Sequence, residues 1–209
     1  MHTPSMEANL QKASSEELIL SAAQEVFMEK GLAGARMQEI ADRAGMNKAL
    51  LHYYFRSKEK LFQVVITKAI SSLLPRLLGV IETDLDLFDK IRHLTSEFIG
   101  FLNKNSFLPV FIVNEINRNP QFFFKNVVRQ EKAHLDSFQR QVEEAVHQGR
   151  IRPISPDQLF MNMMSMVVFP FLAKPVFKEA LGIPEEEYQR VIDRRRIEVA
   201  DFLIQSLRP

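Results

Sequence analysis

Lys48, Ala49, Leu50, His52 and Tyr53, within the segment AGMNKALLHYYF (residues 44–55), are residue types that can grip and read a polyanion. Lysine reaches a guanine edge or a phosphate, a small alanine permits close approach, and leucine can touch a thymine methyl. His52 and the tyrosine hydroxyls can bond phosphate oxygens, which fixes register without reading sequence. No comparable set supports bond-breaking chemistry. The chain has no cysteine, no glycine-rich phosphate loop and no Gly-x-Ser-x-Gly. His93, His134 and His147 form no HxxxH pair and have no local carboxylate cluster. The expectation is a protein that is not an enzyme, with no catalytic residue, no metal site and no cofactor.

These side chains can act together only on a helix entered from a tight turn. Gly45 offers the positive-φ position that ends one helix, and Asn47 is a good N-cap for the next, Lys48 to about Phe55. Leu51 and Phe55, with Met46 and Tyr54 near them, form a face that packs inward; Lys48, Ala49, His52 and Tyr53 then project outward, with Leu50 at the margin. A short helix from Met37 to Ala44 precedes the turn, and the pair has the proportions of a helix-turn-helix. A first helix is expected to start at Ser14, which has capping-box spacing to Glu17, and to stop at Gly31. A fourth enters near Ser57 and runs to Leu74, with Pro75 and Gly79 marking kinks or an end.

The chain has 209 residues, 46% apolar and 25% charged, the balance of an ordinary globular protein. Few segments alternate with period two, so the expected fold class is all-α. The net charge is +1, but it is unevenly placed. Residues 36–68 carry seven basic side chains (Arg36, Arg43, Lys48, Arg56, Lys58, Lys60, Lys68) against three acidic (Glu39, Asp42, Glu59). The positive excess surrounds the outward set, where a polyanion would be met. No signal peptide is recognisable, and the apolar stretch from Phe160 to Ala173 is too short to cross a bilayer, which predicts a cytoplasmic protein with no membrane partner.

Beyond residue 74, helices are expected from about Leu87 to Asn103 and from Ser106 to Asn117. A long helix should start at Pro120 and run to about Gln148. Another spans Pro156 to Leu181, kinked at Pro170 and Pro175, and a last one spans Glu185 to Leu207. The predicted organisation is a helix-turn-helix head over residues 14–57 and a larger helical body over 58–209, with helix 58–74 linking them.

The run MQEIADRAGMNKALLHYYFRSKEKLF resembles the DNA-binding head of the TetR (tetracycline-repressor) family. The matching positions are Ile40-Ala41, Ala44-Gly45, Leu51, Tyr53-Tyr54-Phe55 and Lys58-Glu59-x-Leu61. Arg36 stands where that family usually has a capping Thr or Ser, Ala49 replaces a frequent Gly, and His52 a frequent Tyr. The resemblance implies a DNA-facing set of Arg36, Gln38, Asn47, Lys48, Ala49, Leu50, His52, Tyr53, Tyr54 and Lys58. It also implies a homodimer on a palindromic operator, its last two long helices paired, and a body that holds a small effector.

Fourteen of the seventeen phenylalanines lie beyond residue 69, and four of nine methionines crowd into residues 160–166. Most of these rings belong to a helical core by default. A Phe/Met lining would suit an apolar or aromatic ligand. The candidate effector residues are Phe107, Phe111, Asn114, Glu115, Phe123, Phe124, Phe138, Asn162, Met163 and Met166. Candidate dimer residues are Phe160, Met164, Val167, Phe171, Val191, Ile192, Val199, Phe202 and Leu203. The expected function is a ligand-responsive transcriptional regulator, a repressor released by its effector. A helical ligand-binding protein or cofactor-free enzyme is the rival reading; against it stand the charge asymmetry and the missing catalytic constellation.

Overall fold

The computed structural model describes residues 6–118, 120–123 and 132–209, with backbone alone for residues 6–14, 115, 118, 122 and 123. Among the described residues all regular structure is helical: α1 (Met6–Gly34), α2 (Met37–Arg43), α3 (Lys48–Tyr54), α4 (Lys58–Glu82), α5 (Leu87–Lys104), α6 (Leu108–Arg118), α7 (Pro120–Phe123), α8 (Lys132–His147), α9 (Pro156–Leu172), α10 (Lys174–Leu181) and α11 (Glu185–Leu207). The chain divides into two compact units, one ending at Ser72 and one starting at Leu73.

In the first unit, Ile19, Ala22, Ala23, Val26 and Phe27 recur at helical spacing on α1 and are all buried. Phe27 meets Phe62 of α4 edge-on, with ring centroids 4.4 Å apart. Ile40, Ala41, Leu51, Phe55, Leu61, Val65 and Ile66 are buried in the same unit. The helix start expected at Ser14 lies further back, at Met6. The intervening segment is rich in Ala, Leu, Glu, Gln and Lys, all strong helix formers, so the serine pair does not interrupt it. Gly31, at φ 63° and ψ 179°, breaks the regular helix where its sequence position predicts.

Helix α4 continues past Leu74 to Glu82 with Pro75 inside it. The proline removes one backbone donor, and the apolar stripe carries the helix on through Leu77, Leu78 and Ile81. By length and composition α4 would also suit a bilayer. Its residues Leu61, Phe62, Val65 and Ile66 are buried in the core of the first unit.

In the second unit, α5 and α11 run antiparallel. Asn103 donates to Asp193 at 3.0 Å, and the Arg196 guanidinium lies against Gly100 where a Cβ would come within 3.4 Å of it. Ile91, Leu94, Ile99 and Leu102 of α5 share one core with Ile192, Val199, Leu203 and Leu207 of α11. The single kinked helix expected over 156–181 is two helices bent by 76° around Ala173. Pro175 has no N–H to continue the α9 ladder but sits in the first turn of α10, where a helix tolerates it, so the chain breaks at Ala173 and restarts as a new helix. Of the long helix expected over 120–148, Pro120–Phe123 and Lys132–His147 are helical, and residues 124–131 lie outside the described residues.

Candidate nucleic-acid interface

The turn between α2 and α3 is closed by its own backbone. Met46 N donates to Ala41 O at 2.9 Å and Gly45 N to Asp42 O at 3.1 Å, with Gly45 at φ 67°. This is the hydrogen-bond pair by which a left-handed glycine satisfies the last carbonyls of a helix. Asn47 Oδ1 then accepts from Leu50 N at 2.7 Å and caps α3. Leu51 and Phe55 anchor α3 in the core, so the opposite face is presented outward.

That outward face carries the expected residues. Lys48, Ala49, His52 and Tyr53 are exposed, Tyr53 at 74%, and Leu50 sits at the margin at 37%. Tyr54 is half-buried, edge-on to Tyr53 at 5.6 Å and tilted toward Phe55 at 6.5 Å. Arg36 is exposed at the α2 N-cap and makes no side-chain cap. Gln38 donates to Asp42 at 2.7 Å. Lys58 is turned toward the backbone, with Nζ 3.0 Å from Ala35 O and 3.4 Å from Ala33 O.

Not every basic residue of this region is available to a polyanion. Arg43 forks onto Glu29 at 2.7 and 2.9 Å, with Glu25 at 3.7 Å. Its hydrogen bond to Glu29 raises the guanidinium pKa and lowers that of the carboxyl. Lys30 pairs with Glu39 at 2.6 Å. These contacts brace α1 against α2. Arg36, Lys48, Arg56 and Lys60 are exposed and have no ion-pair partner among the described residues.

The body residues divide differently. Phe138 and Met163 are buried in its core, while Phe107, Phe111, Asn162 and Met166 are half-buried and Asn114 is exposed. Asn162 accepts from Gln158 at 3.0 Å. Phe124 lies outside the described residues, as do the side chains of Glu115 and Phe123. Gln141, which carries no sequence signal, donates to Leu85 O at 3.1 Å and leaves its buried Oε1 without a hydrogen-bond partner. Of the dimer candidates, Val167, Phe171, Ile192, Val199 and Leu203 fill the body's own core. Met164 and Val191 are half-buried, and Phe160 and Phe202 are exposed at 40% and 61%. Met161, Phe169 and Ile197 are exposed as well.

Residues 19–65, the span that builds this head, match the sequence profile described as "Bacterial regulatory proteins, tetR family". The head, residues 19–65, is of the TetR type. It is 34% identical over 88 residues to the HTH-type transcriptional activator FasR of Mycolicibacterium smegmatis, covering 42% of this chain and 40% of FasR. The chain thus matches about two-fifths of FasR's length. Over a longer span it is 22% identical to the probable HTH-type transcriptional regulator YttP of Bacillus subtilis, covering 85% of this chain and 87% of YttP. In fold, the chain is similar to the TetR-family regulator PfmR of Thermus thermophilus, with a TM-score of 0.66 and 20% identity over 91% of this chain and 99% of PfmR. A TetR/AcrR-family regulator of Thermobifida fusca gives 0.61 at 20% identity, covering 87% and 96%.

Proposed function

We propose that this chain is a homodimeric, operator-binding regulator of transcription, a repressor whose body binds a small apolar or aromatic effector and then releases DNA. The observation that carries the reading is the outward face of α3: a capped helix whose inward residues are buried and whose outward residues are an unpaired lysine, a small residue, a histidine and a largely exposed tyrosine. Lys48, Ala49 and Leu50 read base edges from the major groove, while Arg36, His52 and Tyr53 hold phosphates. Residues 14–57 serve as the DNA-binding head and 58–209 as the effector and dimer body, working in the cytoplasm.

Two copies related by a two-fold axis would present their α3 helices about one DNA turn apart, roughly 34 Å, to a palindromic site. The exposed Phe160, Phe169, Ile197 and Phe202 of α9 and α11 supply apolar surface for that pairing. The effector acts by binding better to a body state in which the heads are misplaced, with α4 as the connecting lever because it contributes residues to both units.

A gel shift on the intergenic DNA beside the protein's own coding region tests the reading, with a scrambled duplex as control. Retardation of the native duplex alone, abolished by an apolar ligand that raises thermal stability, is expected. Equal weak binding to both duplexes would overturn it. FasR is named an activator, so the sign of control is measured separately, as transcription of the flanking gene with and without the protein.

A further inference from the structure

Lys58 opens α4 between Arg56 and Lys60, and by sequence it looks like one more cation for the phosphate backbone. Its side chain is half-buried and points elsewhere. Nζ donates to Ala35 O at 3.0 Å and to Ala33 O at 3.4 Å. Both carbonyls belong to the segment between the Gly31 break and the start of α2. Within it, Ala35 is packed in the core at 2% exposure, and the next residue, Arg36, is extended at φ −122° and ψ 137°.

This segment needs an anchor. Arg36 occupies the N-cap of α2 and provides no side-chain cap, so the orphan donors of the first turn do not tie the entry down. The ion pairs of Arg43 with Glu29 and of Lys30 with Glu39 fasten α1 to α2 on either side of the segment. Lys58 grips the segment itself, at the carbonyl immediately before Arg36. Two of its three ammonium donors are committed to the backbone, which leaves it poorly placed to follow a phosphate.

We propose that Lys58 is a positioning residue for DNA binding. It fixes the 33–35 segment so that Arg36 leaves the surface at one place and in one direction, and it does not itself contact DNA. The inference rests on the operator-binding reading given above. A long arginine side chain loses rotamer freedom on binding, and a fixed starting point reduces that loss. Without the Lys58 tether, Arg36 still carries its charge but must be ordered by the DNA.

The test uses the full-length protein and a duplex that the wild type selects from a random library. Affinity is measured over a salt series for wild type, Lys58→Met, Arg36→Ala and the double variant. If Arg36 meets a phosphate, its removal lowers the slope of log affinity against log salt by about one. Lys58→Met is expected to weaken binding on the order of tenfold at an unchanged slope, and to add little once Arg36 is absent. A slope reduced by about one in Lys58→Met alone would make Lys58 a phosphate contact and overturn the proposal. So would an equal loss in both backgrounds, which is the mark of general destabilisation. If Lys58→Met does not fold, Lys58→Gln keeps a donor and removes the charge, and a fall in its slope is equally decisive against positioning. A wild type that selects no duplex at all overturns the operator-binding reading and removes the ground for this one.

Discussion

Arg195 of α11 donates from Nη2 to the Met166 carbonyl oxygen of α9 at 2.7 Å. That oxygen is the one Pro170 strands, because the residue four positions on has no N–H to offer. The guanidinium is half-buried, and desolvation lowers its pKa. On the far side of the proline, Tyr188 Oη donates to Pro170 O at 2.7 Å, near the bend into α10. Two side chains of α11 thus complete the hydrogen bonding of an interrupted α9. Arg195→Ala should destabilise the protein by about 1–2 kcal/mol, the cost of leaving a part-buried acceptor unpaired. In a Pro170→Ala background, where a backbone N–H is restored, that loss should shrink by about 1 kcal/mol in chemical denaturation. Equal losses in both backgrounds would show that Arg195 acts by packing alone.

The α2–α3 turn rests on two residues with separable roles. Gly45 at φ 67° has open space around its Cα, so an alanine there meets no clash and pays only for its left-handed backbone, roughly 1–2 kcal/mol. Asn tolerates that conformation better, so Gly45→Asn should lie closer to wild type than Gly45→Ala. Asn47→Ala removes the acceptor of Leu50 N and should cost about 1 kcal/mol. Thermal melts of the three variants give the order directly.

The head was legible in the sequence because its signals are local. Glycine punctuation at Gly31 and Gly45, the Asn47 cap and the spacing of Leu51 and Phe55 each act within one turn of helix. Lys58 was not legible as a carbonyl clamp, because its partners at residues 33 and 35 are brought near only by the fold. The Arg194–Arg196 run shows the same limit. Successive helical residues point about 100° apart, so one composition run has three fates: Arg194 is exposed, Arg195 turns in to Met166, and Arg196 lies over Gly100. Among the body's apolar residues, periodicity identifies a buried face but does not say whether its cover is the same chain or another. Val167 and Ile192 fill their own core while Phe160 and Phe202 face outward.

Glu185, at the start of α11, is hydrogen-bonded by Lys174, Lys178 and Gln189, and these bonds pull its carboxyl down to about 2. A depressed carboxylate stabilises the fold above its unfolded value near 4.5 and loses that contribution as pH falls through the folded value. Glu185→Gln should therefore be less stable than wild type at neutral pH, and the difference should vanish between about pH 4.5 and 2. The side chain is half exposed, so screening keeps the effect near or below ~1 kcal/mol. A difference that persists unchanged at about pH 2 would locate the effect in packing of the α10–α11 corner.

Lys48 is exposed on the first turn of α3 and has no ion-pair partner among the described residues. Lys48→Ala should weaken operator binding and reduce the salt slope by about one, if its contact is a phosphate. A guanine contact instead costs about 1–3 kcal/mol at one base pair and relaxes selection there. Affinity over a salt series, together with selection from a random duplex library, separates the two. Unchanged affinity, slope and selection would remove Lys48 from the interface.

Phe202 is 61% exposed on α11, one residue before Leu203, which is buried in the body core. A phenylalanine so placed gains most by being covered, and Ile197, 68% exposed on the same helix, extends the apolar surface. If this surface joins two copies, Phe202→Glu places a charge at the contact twice, once from each subunit. Dimerisation should then weaken on the order of 2 kcal/mol or more per copy, as for an aromatic anchor at an interface centre. Analytical ultracentrifugation should show a concentration-dependent shift to monomer with helicity retained in circular dichroism. Operator affinity should fall with it, because each half-site is then bound without its neighbour. A variant that stays dimeric at the concentration where wild type does would take α11 out of the interface.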